Sequence, residues 1–91
     1  MKAIKEIKKE VETVHDSLKS KGIHQFTIDL VELVHDEIFM LETGECPLSD
    51  ETILGSIAYK IDTVLEIARE DSEDYLIYKR LQEIIEKGRK S

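Results

Sequence analysis

Two short segments carry the residue types best suited to chemistry. Residues 11 to 16 read Val-Glu-Thr-Val-His-Asp and residues 31 to 36 read Val-Glu-Leu-Val-His-Asp, identical at five of six positions. Each contains a Glu-x-x-His pair, Glu12 with His15 and Glu32 with His35. On a helix, residues three apart lie on one side, one turn apart, so a carboxylate and an imidazole at this spacing can share a metal ion. In di-metal carboxylate bundles two helices supply Glu-x-x-His and two others supply single glutamates. Here Asp62, Glu66 or Glu83 would have to fill the second role, and Asp62 is shorter than the glutamate that pattern uses. The valines of each segment occupy the inward face, with Glu and His toward its edges. That placement suits a plain i,i+3 surface pair, or a peripheral metal site across a dimer interface, better than a buried metal centre. The likeness fades outside the six-residue block, which excludes a solenoid of repeats.

A second set of carboxylates points to different chemistry. Glu32, Asp36 and Glu37 with Asp62, Glu66 and Glu70 could surround Mg²⁺ and support nucleotide phosphate hydrolysis in a dimer. Against this, no cluster of lysine or arginine accompanies the central carboxylates, and the chain has no glycine-rich phosphate loop. The adjacent His-Asp pairs at 15–16 and 35–36 point about 100 degrees apart on a helix, so adjacency alone does not make them a ligand pair. His24 is expected in a connection. Cys46 is the single cysteine, so it can form neither an intramolecular disulfide nor a thiolate cluster, and it is expected to be inert.

Helices must position all of these groups. Ile4, Ile7, Val11, Val14 and Leu18 recur at three and four, which predicts a first helix over 2–19 with Gly22 supplying a positive backbone torsion beyond its end. A second helix is expected over 28–41, capped by Thr27, stapled by Phe26 and Val31 and stopped by Gly44. Its apolar residues spread around more than half the circumference, so it should touch more than one neighbour. Ser49 is the best local helix start, with Asp50 and Glu51 at the positive end, and predicts a third helix over 50–69. Gly55 is tolerated within it. The acidic stretch 70–74 then separates a fourth helix, 73–87, carrying Tyr75, Ile77, Tyr78, Leu81, Ile84 and Ile85 and ended by Gly88. The fold class expected is all-α: a four-helix bundle or an orthogonal helical domain, as one unit over 1–91.

Length, charge and composition narrow the function. The chain has 91 residues, too few for a barrel or doubly wound enzyme, with 41% hydrophobic and 36% charged side chains that suit one folded domain. Twenty acidic against thirteen basic side chains give a net charge of −7. The charge is uneven: 23–74 holds fourteen acids and two bases, while both ends are mildly basic. Binding to nucleic acid is therefore disfavoured, its best version needing Lys5, Lys8 and Lys9 clustered with Lys87, Arg89 and Lys90. No apolar run suits a membrane span or a secretory signal, so a cytoplasmic chain is expected. The reading preferred is an acidic protein that acts by binding another protein, steered by its central charge, with Phe39, Tyr59, Tyr75 and Tyr78 as candidate interface residues. A homodimer is also expected. No cofactor is expected; the alternative is a divalent metal on Glu12, His15, Glu32, His35, Asp36, Asp62 and Glu66. In length, acidity and helical organisation the chain is similar to small bacterial or phage regulators and immunity proteins, a likeness that carries no motif and no residue role.

Overall fold

The three-four spacing of the first segment does form a helix. In the computed structural model, which describes residues 2–18 and 22–90, α1 spans Ile4–Ser17 and buries Ile7, Val11 and Val14 on one side. The expected end at Lys19 lies outside the described residues. Helix α2 is Gln25–Thr43, α3 is Asp50–Ile67 and α4 is Glu73–Lys90. Among the described residues there is no strand, and none of the helices is long and apolar enough to cross a membrane.

Cross-helix pairs fix the topology. Residues near the start of α1 meet the end of α2, Glu37 meets Lys60, Glu51 meets Arg89, and Ile7 meets Gly88. Each sequential pair is therefore antiparallel, and α4 returns along α1 to close an up-down-up-down bundle. The α1–α2 and α3–α4 interfaces are broad, α4 closes on α1, and the α2–α3 interface is the thinnest of the four. Fifteen buried side chains from all four helices form one core, mostly isoleucine, leucine and valine. Removing these faces from water is the main stabilising term.

Local signals explain most helix ends. Ser49 caps α3, its Oγ accepting the Thr52 N–H at 3.2 Å. Ser72 does the same for α4, accepting the Tyr75 N–H at 3.1 Å, after Ala68 has turned to an extended backbone and ended α3. Gly44 ends α2 with φ +76°, a conformation open to glycine because it has no Cβ. Three expectations are corrected. Helix α2 starts at Gln25, with His24 at its N-cap and no side-chain cap, because the Thr27 hydroxyl is buried and bonded across to α4. Phe26 is 60% exposed, so it closes no staple with the buried Val31. Gly88 does not end α4: a Cβ there would lie 2.7 Å from Ile7 Cδ1, so this glycine admits Ile7 into the core while the helix runs on to Lys90. The positive torsion expected of Gly22 involves residue 21, which lies outside the described residues.

Candidate functional site

The repeated segments lie on α1 and α2, which run antiparallel, so the two copies face each other in opposite directions. Glu12 therefore meets the His35 of the other copy and Glu32 meets His15. His35 Nε2 lies 3.2 Å from Glu12 Oε1, and His15 Nε2 lies 3.8 Å from Glu32 Oε1. Between them the two imidazoles stack with centroids 6.1 Å apart and planes 22° apart. On the outer side, His15 Nδ1 is 3.9 Å from Asp16 and His35 Nδ1 is 3.7 Å from Asp36. A local two-fold relation thus links the segments. The Glu–His contacts run between helices, where the spacing had suggested contacts within each.

Lys8 extends this arrangement toward the end of α2. Its Nζ is 3.6 Å from Glu12, 3.3 Å from Glu42 and 5.0 Å from the centre of the Phe39 ring. The His35 hydrogen bond, aided by the Lys8 charge, holds the Glu12 carboxyl below its usual range. Among the described residues no three His, Cys, Asp or Glu side chains are grouped so as to hold a metal ion. Chemically, the arrangement is a pair of cross-helix acid–base contacts that fixes the register of α1 against α2.

The other candidate carboxylates are not gathered. Glu37 faces α3 and takes Lys60 at 2.8 Å, whereas Asp62 faces α4 and accepts from Gln82 at 2.8 Å. Asp36 and Glu66 point to solvent, and Glu83 lies 3.9 Å from Arg80 on its own helix. The aromatic candidates divide similarly. Tyr59 is 74% exposed and Phe39 43% exposed beneath Lys8, while Tyr75 is half-buried. Tyr78 is only 3% exposed, so it offers no contact area to a partner. Its hydroxyl belongs to a buried polar cluster. Thr27 donates its single hydroxyl hydrogen to Asp74, so Tyr78 must donate to Thr27; the His24 N–H also donates to Asp74, at 3.3 Å. Burial, then the Asp74 charge, pushes the Tyr78 hydroxyl above its ordinary pKa.

The feature with the widest reach is a layer. Helices α2 and α3 together carry nine carboxylates and one lysine, whereas α1 and α4 carry eight of each sign. The bundle is thus acidic on one side and balanced on the other. On the acidic side, Phe26, Leu33 and Met40 stand seven residues apart, which aligns them along α2, and they are 60%, 44% and 42% exposed. Glu37 shares their sector and bonds Lys60, so this stripe borders the thin seam with α3. Ile67, 79% exposed, stands at the α3 end of the same seam. There the seam opens into a cleft of about 270 Å³ lined chiefly by Phe26, Val64, Ile67, Ala68 and Tyr78.

Leu33 is one of the apolar residues spread around α2 from which a second neighbour is expected. The seven-residue spacing of Phe26, Leu33 and Met40 aligns them along α2, but spacing within one helix does not say whether a neighbour covers that line. No family model, curated protein or solved structure matches this chain.

Proposed function

We propose that this protein acts by binding another protein, receiving a basic amphipathic segment along the α2–α3 side. One observation carries the reading: an exposed apolar stripe, Phe26, Leu33 and Met40, lies within the acidic layer of an otherwise charge-balanced bundle. Apolar area gives contact energy, and the carboxylates around it steer a positively charged approach and select against acidic competitors. Two such layers brought together would oppose eight net negative charges to eight, so the layer suits a basic partner better than a second copy of itself. A helix in a groove is the recognition mode that fits, because anchors at i and i+7 on the partner match the spacing of the stripe.

Titration of the isotopically labelled protein with a Lys/Leu amphipathic helical peptide tests this. Amide shifts confined to α2 and α3 are expected, with none from the counterpart peptide in which every lysine is glutamate. Equal shifts with both peptides, or shifts centred on α1 and α4, would contradict the proposal.

A further inference from the structure

We infer that the cleft at the open end of the α2–α3 seam is the anchor socket of this surface, taking one bulky apolar side chain of the basic partner segment. The inference rests on the binding reading above and adds where the partner is gripped and by what. Three features of the cleft carry it. First, its walls are apolar and uncovered: Phe26 is 60% and Ile67 79% exposed, with Val64 and Ala68 between them. Side chains of this kind standing around a concavity are unusual on a surface that meets only water.

Second, its size fits a side chain. At about 270 Å³ and open on one side, it lies below the roughly 300–1,000 Å³ of clefts that enclose free small molecules, and it has room for one aromatic or branched aliphatic group. Its floor is fixed, because Tyr78 is held by Thr27 and Thr27 by Asp74, so the socket needs little ordering on binding.

Third, the charged groups that line it are already paired. Arg69 and Asp74 are the charged side chains of its lining, beside the polar His24, Thr27 and Ser72. Arg69 is 3.2 Å from Asp71, and Asp74 is engaged by Thr27 and His24. An apolar side chain can therefore enter without leaving a charge of the cleft unpaired. The cleft also continues the Phe26–Leu33–Met40 stripe, so a segment lying along α2 would deliver a side chain into it.

The test uses a Lys/Leu helical peptide carrying a single tryptophan and the full protein. Binding should move the tryptophan emission to the blue, and Trp→Ala in the peptide should weaken binding at least about tenfold. In a protein carrying Phe26→Ala, the same peptide change should cost less than about twofold, because the two side chains interact. Both Phe26 and Ile67 are exposed, so Phe26→Ala and Ile67→Asp should leave the thermal melt unchanged. Peptide that binds with an unshifted tryptophan, or equal Trp→Ala losses in both proteins, would overturn the socket while leaving the surface in place. No binding of any basic peptide would overturn both. A dimer in sedimentation that Ile67→Asp dissociates would show a second copy in the cleft and overturn the choice of partner.

Discussion

Thr27 is the only polar or charged residue among those buried in the described structure, and it holds the start of α2 to the start of α4. Thr27→Val keeps the shape and removes both hydrogen bonds, leaving the Tyr78 hydroxyl buried without an acceptor. A loss of about 1–3 kcal/mol in unfolding free energy is expected from denaturant titration. Tyr78→Phe should cost less, about 0.5–1.5 kcal/mol, since Thr27 still donates to Asp74. An unchanged midpoint for Thr27→Val would remove the cluster from the account. The same hydroxyl sets a pH dependence. Its folded pKa lies above that of the unfolded chain, so its contribution is fully present below the ordinary tyrosine pKa of 10.0 and is lost as pH rises through the higher folded value. Tyr78→Phe should flatten that alkaline loss. At this scale the sequence was only partly informative. The Glu-x-x-His segments were visible as a repeat, but their contacts depended on α1 and α2 being antiparallel neighbours, which spacing within one helix does not contain. Thr27 read as a helix cap because its type suits one; only the tertiary partners Asp74 and Tyr78 explain why it is buried inside the first turn instead.

Two glycines within helices show how packing decides the effect of one missing Cβ. Gly55 in α3 would place a Cβ 3.8 Å from Arg89 Nη2, an ordinary contact, whereas Gly88 in α4 would place one 2.7 Å and 2.9 Å from the fully buried Ile7. Gly55→Ala should therefore stabilise the protein by about 0.5–1 kcal/mol, through helix propensity and a less flexible unfolded chain. Gly88→Ala should destabilise it, by about 1–3 kcal/mol if Ile7 must leave its position. Thermal melts of the two variants check both signs; a shared sign would contradict the close approach of α1 to α4. The helices themselves were largely legible. The stripe of α1, the Ser49 cap, the Gly44 stop and the break before Glu73 are short-range signals, and short-range physics produces them. Gly88 was read as a stop because glycine near a helix end usually is one; its distance to Ile7 is a property of the assembled bundle.

Across the whole molecule, the uneven charge seen along the chain becomes a two-sided particle. Chain order alone puts the acidic middle into α2 and α3, and the bundle then sets these two helices side by side, with their thin seam and exposed stripe on the same side. Which apolar residues would be left uncovered was not readable, since Leu33 and Val34 are adjacent and equally apolar, yet one is 44% exposed and the other 1%. Electrostatic steering makes the proposed association sensitive to salt, because a Debye length falls to roughly 3 Å at 1 M. The apolar stripe supplies the part of the affinity that salt does not remove. Leu33 on the acidic side and Leu76 on the balanced side are both exposed, at 44% and 61%, and both can become serine without altering charge or core. The affinity of the Lys/Leu peptide for Leu33→Ser and Leu76→Ser, measured by calorimetry at one fixed ionic strength, compares the two sides directly. The account predicts a loss of about tenfold for Leu33→Ser and less than about twofold for Leu76→Ser; equal losses, or a larger one for Leu76→Ser, would contradict it.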